Sequence, residues 1–246
     1  MAGETVKTEA ICLAIRPWSR TSHIVRWLTP AGCVTTAVKG AVRPKSLFLG
    51  QYDLNYTCEI IYYARERGEL HALRECTPLA LREGLRNDWR ALALASHYRE
   101  LVSTLAPAGP DCRAWRDLLV RALDALPVEG EAASVAALVG FELRALGLSG
   151  LTPDFTNYPQ TAEWAAFSVE RGAFGDGGKH LLRISRPVAT YLRNPSPNEK
   201  NLQILLDSAR VIGVFYTFHL DCAPETRRSV LRMICNKLSY QQGKAK

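Results

Sequence analysis

An α+β fold with two parts is predicted: a five-stranded β-barrel at the N-terminus, then an α-helical bundle interrupted by a small irregular module. Three observations predict it. The first eighty residues carry short alternating apolar runs separated by turn residues, the period then lengthens to that of helices, and the stretch 151–186 follows neither pattern. The boundaries expected are 1–77 for the barrel and 78–246 for the helical part, the latter with the module at 151–186 and a basic helix at 225–237.

The strands are expected at Thr8–Arg16, His23–Thr29, Cys33–Lys39, Thr57–Tyr63 and Leu70–Cys76. Pro30-Ala31-Gly32 supplies one turn, and Gly68 another within 64–69. A long Gly- and Pro-punctuated connection, Gly40–Gln51, separates the third and fourth strands. Five short strands are the count of an OB-fold, whose loops hold oligonucleotides. Trp27 lies within an apolar strand pattern and is expected in the core. Trp18 and Phe48 stand beside turn signals and are expected at the surface.

From Pro78 to Leu105 the apolar residues form a helical stripe that Pro107 and Pro110 end. Asp111 is placed to cap a helix over Cys112–Leu126, which Pro127 stops, and a third helix is expected over Glu131–Leu148. Beyond the module, helices are expected at Val188–Leu192, Leu202–His219 and Glu225–Lys237, followed by a frayed tail, Ser239–Lys246.

The chain has 246 residues and a net charge of +7. From Ala10 to Tyr52 there is no acidic residue, while Arg16, Arg20, Arg26, Lys39, Arg43 and Lys45 give +6. The last 22 residues, from Glu225, carry +5, so the middle is mildly acidic. An acid-free cationic stretch is suited to a polyanion, whose counter-ions it displaces. A solvated face kept for solubility is the bland alternative. Aromatic residues among the cations favour the first reading, because stacking platforms beside a cationic groove hold single strands.

Other chemistries find less support. The glycines of 172–178 do not make a phosphate loop: Gly178-Lys179 would need a glycine at Ala173, and His180 stands where the hydroxyl residue belongs. His219-x-x-Cys222 has a ligand-like gap with no second pair beside it. The seven cysteines are odd in number, widely spaced and without C-x-x-C, as in a reduced intracellular protein. No nucleophile motif or carboxylate pair points to catalysis, and no apolar run reaches membrane-spanning length. No catalytic residue, metal or cofactor is expected, and the location expected is the cytoplasm. A nuclease would need a carboxylate cluster for metal, which is not visible in the sequence.

The series Arg16-Pro17-Trp18-Ser19-Arg20-Thr21-Ser22, Leu28-Thr29, Gly32, Ala37-Val38-Lys39-Gly40-Ala41 and Lys45-Ser46 resembles the N-terminal region of RecO, the bacterial recombination mediator and DNA-repair family. Gly68-Glu69-Leu70, Tyr98-x-Glu100-Leu101, Phe141-Glu142-Leu143 and Leu146-Gly147 continue it in order. The resemblance implies an OB-fold before a helical domain. It further implies binding of single- and double-stranded DNA, annealing of complementary strands, and help in loading a recombinase. The implied partners are DNA, RecR, and single-strand-binding protein through its acidic C-terminal tail. Arg16, Arg20, Arg26, Lys39, Arg43 and Lys45, with Trp18 and Phe48, are the candidate DNA-binding residues. Arg144, Arg228 and Arg232 are candidates for the partner tail.

Two departures from the family pattern stand out. Many members carry a four-cysteine zinc module, whereas 151–185 here has no cysteine, so Phe155, Tyr158, Trp164, Phe167 and Phe174 are expected to hold it by packing. The family's Lys-Ser-Arg run appears as Thr226-Arg227-Arg228. The rival function is a protein-binding adaptor whose basic helix, Glu225–Lys237, docks an acidic partner segment, with DNA contact incidental.

Overall fold

The computed structural model describes residues 4–65, 70–107, 112–178, 180–220 and 225–242. The turn at Gly68 with Glu69, the Asp111 cap, Lys179, Cys222 and the end of the tail lie outside the described residues. Two compact units result: residues 1–87 with 102–125, and residues 88–101 with 126–246.

In the first unit, β1 (Thr5–Ser19), β2 (Ser22–Thr29), β3 (Gly32–Val38), β4 (Thr57–Tyr63) and β5 (Leu70–Ala80) close a barrel in the order β1-β2-β3-β5-β4. Closure depends on the length of β1. Its first half, Thr5 to Ile11, pairs with β4, while Ile11 to Ser19 pairs with β2 across a bulge between Cys12 and Ala14. The short parallel pairing Thr35–Ala37 with Leu70–Ala72 completes the ring.

Strand alternation sends Ala10, Cys12, Val25, Trp27, Val38, Cys58 and Ile60 into the lumen. Trp27 is fully buried, as expected, and its indole N–H donates to Thr36 Oγ1 at 2.8 Å. Thr36→Val should therefore strand a buried donor and cost about 1–3 kcal/mol, read as a lower urea midpoint at unchanged slope. An unchanged midpoint would show that the indole does not depend on this hydroxyl. Ile11 and Leu28, partners in the β1–β2 ladder, are buried on the outer face. There α2 (Arg113–Asp124) packs on β2, and Cys112 N–H donates to the Pro30 carbonyl at 3.1 Å.

The stripe starting at Pro78 proves not to be one helix. β5 runs on to Ala80 because Pro78 and Ala80 pair with Cys58 and Thr57. Pro78 is tolerated since β3 accompanies β5 only as far as Ala72, which leaves its missing N–H without a ladder to break. A single 3₁₀ turn, Glu83–Asn87, precedes α1 (Trp89–Leu105). Cys112 occupies the N-cap of α2 without a side-chain capping bond, its thiol donating instead to the Pro107 carbonyl at 3.4 Å, and α2 ends at Asp124.

The second unit holds α3 (Gly130–Leu148), α4 (Arg186–Arg193), α5 (Leu202–His219) and α6 (Glu225–Gln242), with residues 89–101 of α1. Asn201 caps α5, its side chain accepting from the N–H groups of Gln203 and Ile204. After α3 the chain reverses through Gly150, at φ +73°, and Leu151 N–H donates back to the Leu146 carbonyl at 3.0 Å. α6 runs to Gln242, five residues beyond Lys237, so the start of the expected frayed tail is helical.

The module is a three-stranded sheet ordered β7-β6-β8, from β6 (Trp164–Ser168), β7 (Ala173–Phe174) and β8 (Leu181–Ser185). Phe155 stacks on Phe167 at 4.9 Å, and Phe174 meets Phe167 and Tyr158 edge-on at 5.4 and 5.1 Å. Four of the five expected aromatics thus form its core. Trp164 is the exception. It lies on the outer side of β6, 43% exposed, with the Arg183 guanidinium 5.0 Å from its ring. Alternation along β6 buries Ala165 and Phe167 and so turns Trp164 outward.

Candidate nucleic-acid interface

The acid-free stretch forms the β1–β2 turn and the loop from Lys39 to Gln51, and backbone bonds bring the two together. Gly40 N–H donates to Ser22 Oγ at 3.2 Å, and Val42 N–H donates to the Thr21 carbonyl at 3.3 Å. Gly40 holds φ +67°, and a Cβ there would come within 3.2 Å of Arg43 Cδ, so a glycine both turns the chain and makes room for the arginine. The far end of the loop is anchored at the barrel. Tyr52 OH lies 2.8 Å from His23 Nδ1, with its ring edge-on to Trp27 at 5.9 Å. Burial raises the Tyr52 hydroxyl far above its ordinary range, so it stays protonated.

Between turn and loop lies a hollow of about 530 Å³ lined by Trp18, Ser19, Thr21, Lys39, Gly40 and Arg43. Trp18 is 51% exposed. Arg16 stands two residues before it on β1, Arg20 lies in the turn, and Lys45 follows Arg43 by two residues. Arg16, Arg20, Lys39, Arg43 and Lys45 are all exposed, and none pairs with a described carboxylate. The five cations therefore face solvent without a described carboxylate partner, and two of them, Lys39 and Arg43, line the hollow together with Trp18.

Two sequence candidates stand apart from this set. Arg26 faces Thr35 across the ladder, is half-buried, and donates from Nη2 to the Ser103 carbonyl at 3.4 Å. Phe48, expected at the surface, is half-buried against the barrel core. Turning Phe48 inward leaves its neighbours Leu47 and Leu49 outside, which no turn signal in the sequence announces.

Among the candidates for a partner, Arg144 lines a cleft of about 540 Å³ within the second unit. Leu143, Pro153, Phe155, Leu192 and Pro195 supply apolar walls, Arg193, missed by sequence reading, is a second cation there, and Asp154 is one carboxylate in the lining. Arg228 and Arg232 are exposed one turn apart on α6 and do not line this cleft.

Arg227 has another role. Its Nε and Nη2 donate to Glu142 Oε1 and Oε2 at 2.7 and 2.9 Å, and Nη2 also donates to the Ala209 carbonyl. His97 Nε2 lies 2.9 Å from Glu142 Oε1, and its Nδ1 is 3.1 Å from Thr226 Oγ1. Burial alone would raise the Glu142 carboxyl, but Arg227 and then His97 outweigh it and hold the group below its ordinary value. The run Thr226-Arg227-Arg228 thus buries Arg227, half-buries Thr226 and leaves only Arg228 exposed. A lone carboxylate inside the apolar helix 135–146 is the signal that marks this cluster in the sequence.

Among the described residues no group of three or more His, Cys, Asp or Glu could hold a metal, and no helix is long and apolar enough to cross a membrane. His219 Nε2 instead lies 2.8 Å from the Val169 carbonyl.

A closed five-stranded barrel in this strand order is of the OB type. Residues 1–82 match the family model "Recombination protein O N terminal", and residues 86–228 match "Recombination protein O C terminal". The chain belongs to the RecO family, whose role is in DNA repair and recombination and which is a recombination mediator, not a known enzyme.

No curated protein matches this chain. Among solved structures, an asparaginyl-tRNA synthetase from Entamoeba histolytica is 11% identical, over 68% of this chain and 38% of its own, at a TM-score of 0.29. An aspartyl-tRNA synthetase from the same organism is 12% identical, over 94% of this chain and 55% of its own, at 0.27. The chain thus spans only about a third to a half of these structures.

Proposed function

We propose that this protein binds single- and double-stranded DNA through the hollow and its surrounding cations, anneals complementary strands, and helps a recombinase load onto DNA coated by single-strand-binding protein. The observation that carries the reading is the hollow that Trp18 shares with the exposed cations Lys39 and Arg43, with Arg16, Arg20 and Lys45 exposed and unpaired nearby in the sequence. Annealing asks for no bond chemistry. Cations that neutralise phosphates on two strands reduce their repulsion, and base pairing supplies specificity and driving force. Trp18 offers a stacking face that any base can use. The reaction is non-enzymatic, and its place is the cytoplasm, on the nucleoid.

The test is annealing of two labelled complementary oligonucleotides by the full chain, alone and with single-strand-binding protein present. Faster duplex formation that declines steeply with salt is expected. Rates equal to the protein-free control would overturn the reading.

The cleft at Arg144 and Arg193 favours a partner contact beside the DNA site. Two arginines among apolar walls, against the single carboxylate of Asp154, whose Oδ1 accepts from Thr156, suit a peptide that ends in carboxylates and carries an apolar side chain, which is the chemistry of the acidic tail of single-strand-binding protein. RecR is the further partner. Arg144→Ala should weaken a fluorescein-labelled acidic tail peptide at least tenfold, a loss of about 1.4 kcal/mol, while leaving oligonucleotide affinity unchanged. Equal peptide affinity would remove the cleft from the account. The rival adaptor on α6 has fewer free cations than its sequence suggests, because Arg227 is committed to Glu142.

A further inference from the structure

The loop beyond the hollow ends in an apolar tip. Successive turns build it: Ser46 N–H donates to the Arg43 carbonyl at 2.9 Å, Leu49 N–H to the Ser46 carbonyl at 3.3 Å, and Gln51 N–H to the Phe48 carbonyl at 3.1 Å. Ser46 Oγ accepts from Phe48 N–H at 3.2 Å. Phe48 is held against the barrel core and fixes the tip from beneath. The side chains on either side of it are driven outward, Leu47 to 89% exposure and Leu49 to 56%. Among the described large apolar residues Leu47 is the most exposed.

The setting of this tip limits what it fits. Arg43 and Lys45 precede Leu47 by four and two residues, both exposed and unpaired, within a segment without a carboxylate from residue 10 to residue 52. The complement of an apolar tip in a cationic field is a polymer with anions outside and apolar faces within. Duplex DNA is such a polymer: phosphates line its edges and stacked bases fill its interior. Proteins that deform duplexes insert a leucine or similar residue between neighbouring bases while cations hold the backbone on either side.

We propose that Leu47 is a wedge that enters a base step of duplex DNA, with Arg43 and Lys45 holding the phosphates around that step. The inference rests on the DNA-binding reading and adds to it a contact to bases inside a duplex. Phe48 serves as the positioning residue that aims the wedge, and Leu49 covers the opened step.

The test uses duplexes carrying 2-aminopurine at successive positions, whose fluorescence rises when a step unstacks. Binding of the full chain should raise the signal several-fold at one or two neighbouring positions. Leu47→Ser should abolish the rise while keeping the salt dependence of binding, since no cation is lost. Leu47→Phe, which restores an apolar wedge, should keep the rise. An equal rise with Leu47→Ser, or duplex binding by the unaltered chain with no rise at any position, would overturn the wedge and leave DNA binding standing. Failure to bind the duplex at all would instead sink the DNA-binding reading together with it.

Discussion

Arg227→Ala should lower the stability of the chain by about 3–5 kcal/mol, the range found when one partner of a buried ion pair is removed. Glu142 is fully buried, and both of its oxygens accept from Arg227. Without the guanidinium, the carboxylate must stay charged with only His97 beside it or take up a proton, and each route costs stability. The pair also joins α6 to α3, while the Arg227 bond to Ala209 and the Tyr216 hydroxyl bond to the Glu142 carbonyl tie in α5. Gly213 on α5 makes the space, since a Cβ there would stand 2.3 Å from Arg227 Nη1. A double change to apolar residues, Glu142→Leu with Arg227→Met, should be far milder than either single change, because no charge is left buried alone.

The sign of the pH effect follows from the direction of the Glu142 shift. Its folded value lies below the ordinary one, so the stability it contributes is fully present above the unfolded value and is lost as pH falls through the folded value. Urea unfolding of the parent chain should therefore weaken on acidification below about pH 4.3, the ordinary glutamate value. In Arg227→Met this acid-linked loss should shrink. An Arg227→Ala variant as stable as the parent at pH 7 would show that the cluster does not hold α6 to the bundle.

The second large effect concerns the hollow. Lys39→Ala, Arg43→Ala and Lys45→Ala combined should weaken single-strand binding about a hundredfold, taking roughly 1 kcal/mol for each lost charged contact. The slope of log affinity against log salt should fall by about 2, at roughly 0.7 for each phosphate released from a single strand. Stability should barely change, because all three side chains are exposed and unpaired. Circular dichroism and the urea midpoint provide that control. An unchanged affinity and slope would remove the loop from the DNA-binding surface.

How legible these sites are in the sequence depends on how far apart their parts lie. The barrel is readable because alternation is local: Val25 and Trp27 point inward by period alone, and all five expected strands form. The end of β5 is not readable, because Pro78 resembles a helix start until Cys58 pairs with it. The cationic hollow is visible as an absence of carboxylates, and its members lie within one 30-residue stretch. Which cations are exposed is decided partly by strand pairing and packing, so Arg26, on β2, is half-buried and leaves the set while Arg43, in the loop, stays in it. Phe48, expected at the surface, packs inward while Leu47 is left outside, for a related reason. Turn residues mark where a loop bends but not which of two neighbouring apolar side chains it tucks inward. The Arg227–Glu142–His97 cluster joins positions up to 130 residues apart, and only Glu142, the one carboxylate of the apolar stretch 135–146, hints at it.

The claim that this surface of the barrel holds DNA is tested most directly by cross-linking. Oligonucleotides carrying 5-bromouracil, irradiated with the full chain at low salt and mapped by peptide mass spectrometry, report where bases touch the protein. Adducts concentrated in residues 16–22 and 39–51, Trp18 among them, are the predicted result. Adducts confined to residues 126–242, with none on the barrel, would contradict it.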